Sequence, residues 1–148
     1  MVRRHLRRLI GYLWALPNTL LGLIFVPFVF VTKGQVQAID GVLELQGTLT
    51  SFVLRHLVPL RGGASAITLG HVVLARDASA LVDTRAHERA HVRQYEAWGP
   101  AFIPAYLLAS VWALLGRRGA YRGNYFERGA VRQAAKAGGA AGTHVPKG

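Results

Sequence analysis

The chain has 148 residues, room for one compact domain, and no cysteine, which excludes disulfides, thiolate metal sites and cysteine nucleophiles. Any metal site must therefore use His, Asp or Glu. The formal net charge is +11, from 18 Lys and Arg against 7 Asp and Glu, and 51% of the residues are hydrophobic. A charge of this sign attracts nucleic acid or an anionic membrane surface. Placement favours anionic lipids as partners: Arg3, Arg4, Arg7 and Arg8 directly precede one apolar run, and Arg117, Arg118 and Arg122 follow another. No nucleic-acid motif accompanies the charge.

Residues 9–32 are 24 positions without a charge. As a helix rising about 1.5 Å per residue they cross a hydrocarbon core of about 30 Å. A cleaved signal peptide is the competing reading, but the stretch is long and no small-x-small cleavage site follows. An uncleaved anchor is therefore expected over residues 1–33, with Pro17 and Pro27 either kinking one spanning helix or turning it back as a re-entrant hairpin. Four arginines before the segment against Lys33 after it put the N-terminus in the cytoplasm, which suits a bacterial inner membrane.

Residues 34–136 are expected to form a small α+β domain with a small antiparallel β region. Residues 36–39 and 42–45 flank Asp40-Gly41, a strong signal for a two-residue type I′ hairpin. Residues 48–60 are ambiguous between strand and helix. The β-branched run 67–75 predicts a further strand. A helix follows, capped by Asp83 or Thr84 and stopped after Trp98 by Gly99-Pro100. Residues 101–115 are a second uncharged run of helical character. Asn124 opens a last helix that ends near Lys136, and residues 137–148 are expected to be a disordered tail.

The chemistry concentrates at residues 87–91, His-Glu-Arg-Ala-His, an HExxH pattern. Four residues advance a helix by about 6 Å and return almost to the same face, so both imidazoles can grip one ion. Glu88, on a neighbouring line, can reach a zinc-bound water whose pKa the metal has lowered and take its proton as it attacks a carbonyl. His87, His91, Gln94, Tyr95 and Trp98 share one helix face. Arg85, Arg89 and Arg93 form a stripe opposite, expected to face solvent or lipid phosphates. The bland alternative is a chance match to a five-residue pattern. A third ligand must be a carboxylate, and only Glu96 and Glu127 lie downstream. Glu96 falls on the arginine face. Glu127 is the candidate, although Asn124 and Glu127 also match a capping box, which competes for the same carboxylate. His71 could approach the site from the preceding strand, and Tyr95, Tyr121, Tyr125 and His71 are unranked candidates for stabilising an oxyanion.

At these residues the chain resembles the HExxH zinc metallopeptidases of the zincin superfamily. Within it, the gluzincin pattern of HExxH plus a later ExxA corresponds to His87-Glu88-Arg89-Ala90-His91 and Glu127-Arg128-Gly129-Ala130. The stretches 87–98 and 124–130 also look like small bacterial membrane proteins with a zincin-like core. The resemblance covers roughly residues 66–135. It implies Zn2+ held by His87, His91 and Glu127, Glu88 as general base, a peptide or protein substrate, and a strand ahead of the active helix that binds the substrate in extended form. The alternative is a non-catalytic membrane protein with a structural or vestigial zinc site that acts in partner or anionic-lipid binding.

One conflict tests this reading. If residues 99–116 crossed the membrane, about 27 Å would separate His91 from Glu127, whereas zinc–ligand distances are about 2 Å. The uncharged core of the run is short and contains Pro104. A helical hairpin folded back on the HExxH helix is therefore expected.

Overall fold

A computed structural model describes residues 2–60 and 62–141. The chain runs α1 (Val2–Leu23), α2 (Phe25–Val31), β1 (Gln35–Ile39), β2 (Val42–Gln46), α3 (Thr48–His56), β3 (Ala66–Leu69), β4 (Val72–Ala75), α4 (Ala78–Trp98), a 3-10 turn (Gly99–Ala101), α5 (Phe102–Leu115) and α6 (Tyr125–Ala141). The class is α+β. Of the expected tail, residues 137–141 continue α6, and 142–148 lie outside the described residues.

Asp40 and Gly41 both take positive φ, 51° and 78°, as a type I′ turn requires, and β1 pairs with β2 in the expected register from Ile39–Val42 to Gln35–Gln46. The run 67–75 is not one strand. Gly70, at φ 62°, turns it into the antiparallel hairpin β3–β4. The sheet is mixed rather than antiparallel, because β2 and β4 pair in parallel and give the order β1-β2-β4-β3. Residues 48–56 of the ambiguous segment are helical.

All four residues of β4 are buried, as a central strand covered on both faces demands. Val72 and Leu74 join Val29, Leu45 and Leu54 under α2 and α3. Val73 and Ala75 point the other way and pack with Val42, Leu81 and Val92 beneath α4. Each Val or Leu among them contributes roughly 1.5–3 kcal/mol when fully buried. The sheet is thus a plate that holds α4 in place.

α4 starts at Ala78, earlier than the expected Asp83 or Thr84. Asp77 is the cap, accepting from the Ala80 N–H at 2.9 Å, while the Thr84 hydroxyl donates back to the Ala80 carbonyl inside the helix.

The N-terminal segment is helical and interrupted at Ile24. Pro27 explains the break: its ring excludes a helical carbonyl four residues earlier, at Leu23, where α1 ends. The segment also packs on the rest of the chain. Val29 is fully buried in the main core, and the Asn18 amide donates to the Gly99 carbonyl at 2.7 Å. Two helical stretches, Arg8–Val31 and Ala78–Leu115, are long and apolar enough to cross a membrane. Most of each apolar window is exposed, including Leu9, Leu13 and Leu20 on α1 and Leu108, Trp112 and Leu115 on α5.

Candidate metal centre

The turn at Gly99-Pro100 folds α5 back along α4. A continuous helix would put Tyr106 about 22 Å from His91, yet their ring centroids are 6.4 Å apart. Phe102, one turn before Tyr106, is buried against Tyr95 and Phe126. The return brings α6 across α4 beside the histidines.

Asn124 sets the start of α6. Its Oδ1 accepts from the Phe126 N–H at 2.8 Å, while its amide donates to the Tyr106 carbonyl at 3.0 Å and the Ser110 hydroxyl at 2.7 Å. The side chain is fully buried with its hydrogen-bonding groups engaged. Asn124 therefore caps through its own amide, and the expected competition for Glu127 is resolved: that carboxylate turns to the histidines.

The ligand-type atoms of His87, His91 and Glu127 all lie within 4.8 Å of one another, an arrangement that could hold a metal ion. The two Nε2 atoms are 3.1 Å apart. Glu127 Oε2 is 3.1 Å from His87 Nε2, and Oε1 is 3.4 Å from His91 Nε2. His91 Nδ1 is 2.9 Å from Gln94 Oε1, an acceptor, which puts a proton on Nδ1 and directs Nε2 at the cluster. Glu127 Oε1 accepts from the Tyr106 hydroxyl at 2.6 Å, and Oε2 is buried without a hydrogen-bond partner. Two imidazole Nε2 atoms and a carboxylate thus converge in a poorly solvated place, with Glu127 Oε2 lacking a hydrogen-bond partner. A cation satisfies all of them at once, so the residues fit a metal ion with N/O preference.

Electrostatics agree with an ionised Glu127. Burial by itself would raise its pKa, but the imidazoles of His87 and His91 outweigh burial, and Tyr106 adds to them. The carboxyl is held well below the usual range.

Glu88 is buried beside the histidines on α4, and its Oε2 accepts from the Thr68 hydroxyl at 2.7 Å. Thr68 sits on β3, the sheet edge, and its carbonyl accepts from the Tyr95 hydroxyl at 3.0 Å. β3 thereby fixes one oxygen of Glu88. Oε1 makes no hydrogen bond among the described residues.

Several expectations are corrected. His71 does not approach the histidine pair: it is buried against α1, its Nε2 3.0 Å from Glu96 Oε1 and its ring stacked on Tyr12. The arginine stripe does not face only solvent. Arg85 and Arg89 both pair with Glu44, which β2 buries beneath α4, and Arg89 also donates to the Ile39 carbonyl. Tyr95 is used by Thr68, and Tyr125 is exposed. Tyr121 alone of the tyrosine candidates reaches the centre, its hydroxyl 3.4 Å from His87 Nε2.

Sequence reasoning missed Tyr106 and assigned Gln94 no role. The signal for Tyr106 was its spacing of four residues from Phe102 and from Ser110 on a helix expected to fold back. No known protein family, no curated protein and no solved structure matches the chain, so the reading of the centre rests on these residues alone.

Proposed function

We propose that the protein is a membrane-anchored zinc-dependent hydrolase, a metallopeptidase of zincin-like type. The observation that carries this reading is the convergence of His87, His91 and Glu127 with a second buried carboxylate, Glu88, on the same helix turn. In this assignment the two Nε2 atoms and the Glu127 carboxylate would hold Zn2+. The ion would supply a Lewis acid that polarises a substrate carbonyl and acidifies water. Glu88 Oε1 takes the proton from the attacking water and returns it to the departing amine, while Thr68 keeps Oε2 in place. Gln94 orients His91, and Tyr106 orients Glu127. Tyr121, beside His87, is positioned to donate to charge developing on the carbonyl oxygen. The edge of β3 is where an extended peptide would lie.

The exposed apolar faces of α1 and α5 support insertion into a bilayer, with the N-terminal arginines held at an anionic cytoplasmic surface. Resistance of the full chain to extraction by alkaline carbonate tests this part.

The catalytic part is tested with a peptide library and zinc-loaded protein in detergent. Wild type is expected to cleave peptide bonds, and Glu88→Gln is expected to bind zinc yet lose at least a hundredfold in rate. Full activity in Glu88→Gln overturns the mechanism. A non-catalytic role has one specific observation in its favour: the cluster also fastens α4 to α6, so zinc could act as a staple alone. Loss of folding on chelation without any hydrolysis selects that reading.

A further inference from the structure

Beyond the proposed zinc ligand Glu127, α6 carries a feature that the proposed chemistry does not use. A cleft of about 360 Å³ opens beside Glu127 and is lined by Tyr121, Arg122, Arg128, Val131 and Arg132. It adjoins the metal centre through two of its walls, because Glu127 belongs to both and the Tyr121 hydroxyl is 3.4 Å from His87. Its three guanidinium groups have no ion-pair partner among the described residues. This contrasts with Arg85 and Arg89, which share buried Glu44.

The sequence explains the difference. After Glu96 the chain has a single acidic side chain, Glu127, against Arg117, Arg118, Arg122, Arg128, Arg132, Lys136 and Lys147. Glu127 is turned to the histidines and cannot also neutralise the cleft. With a cation bound to it, the cleft holds three positive charges and no counter-charge. Arginine is the side chain best shaped to grip a carboxylate through two parallel N–H donors, and Val131 gives the wall an apolar contact for the adjoining chain.

Resting on the metallopeptidase reading, we propose that this cleft is the specificity pocket of the centre and takes a carboxylate of the peptide substrate, borne on an acidic side chain or on the chain end. Arg128 and Arg132, one helical turn apart on α6, hold the carboxylate, with Arg122 closing the opposite wall. The substrate is then an acidic peptide, or a peptide cut near its C-terminus.

The test uses the full chain in detergent, zinc-loaded and carrying Glu88→Gln so that peptides are not turned over. Binding of three fluorescently labelled octapeptides is followed by anisotropy: an amidated one with two internal glutamates, its amidated glutamine counterpart, and the glutamine peptide with a free carboxylate end. At least one carboxylate-bearing peptide is expected to bind about tenfold more tightly than the amidated glutamine peptide, with the advantage falling as salt is added. Which of the two binds tightly tells side chain from chain end. The added pair Arg128→Gln/Arg132→Gln should abolish the preference while zinc content and Tm stay unchanged, and Arg55→Gln on distant α3 should preserve it. Equal binding of all three peptides, or a preference that survives the double substitution, overturns the proposal. So does an effect of the double substitution confined to sedimentation with phosphatidylglycerol vesicles, which would assign the arginines to lipid. A preserved arginine-dependent preference with no Glu88-dependent hydrolysis in the parent chain rejects the peptidase reading alone.

Discussion

His91 and Gln94 form a relay one helical turn long: His91 Nδ1–H donates to Gln94 Oε1 at 2.9 Å, and the Gln94 amide donates to the Phe126 carbonyl on α6, also at 2.9 Å. The same glutamine therefore fixes one imidazole of the cluster and the position of the helix that brings Glu127. Gln94→Leu is expected to retain the fold and weaken zinc affinity by about 10- to 100-fold. Competition with a chromophoric chelator measures it. Unchanged affinity would remove Gln94 from the centre.

Glu127 gives the metal-free protein a distinct acid response. Its carboxyl is held below its ordinary value of 4.5. A group with a depressed folded pKa contributes stability that is present above its unfolded pKa and lost as pH falls through its folded pKa. Apoprotein stability is thus expected to fall on acidification below about pH 4.5, and Glu127→Gln should flatten that part of the profile. Denaturant midpoints of the two proteins across pH 2–6 provide the comparison.

Glu44 is the buried counter-charge of α4. Its side chain is 2% exposed and accepts from both Arg85 and Arg89, and removal strands two guanidinium groups under the helix. Breaking a buried pair costs about 3–5 kcal/mol. Because the Arg85 side chain is 35% exposed, about 3 kcal/mol is expected for Glu44→Ala. An unfolding titration reads the loss, and a midpoint within error of wild type would contradict the packing of β2 against α4.

Gly22 lets α1 lie close against the sheet. A Cβ added there would meet Val72 Cβ at 2.5 Å. Gly22→Val is expected to lever α1 off β4 at a cost of about 1–3 kcal/mol. The exposed face tolerates change, so Leu20→Val should be nearly neutral. Thermal unfolding of the pair separates a docked helix from a free-standing anchor, for which both substitutions would be silent.

Much of this architecture is legible where the signal is local. Asp40-Gly41 dictates its turn, Gly99-Pro100 ends α4, and the HExxH spacing places two imidazoles on one face. The choice of Glu127 follows from how few carboxylates the chain has. What escapes the sequence depends on distant partners. The β-branched run 67–75 hides a hairpin because one residue, Gly70, supplies the positive φ. The parallel pairing of β2 with β4 joins segments with no local mark of each other. Glu44 reads as a solvent position until its strand is known to face α4. Tyr106 gains a role only when α5 folds back. Asp77 is masked by Asp83 and Thr84, equally good caps by type, which lie within the helix instead.

Zinc stoichiometry of the full chain, purified in detergent without chelators and supplied with zinc, tests the central claim most directly. One zinc per chain is expected in the wild type, none in His91→Ala, and weakened binding in Glu127→Ala with Tyr106 and Asn124 intact. A wild type that retains no zinc, or a zinc content indifferent to His91 and Glu127, would contradict the metal centre and with it the hydrolase.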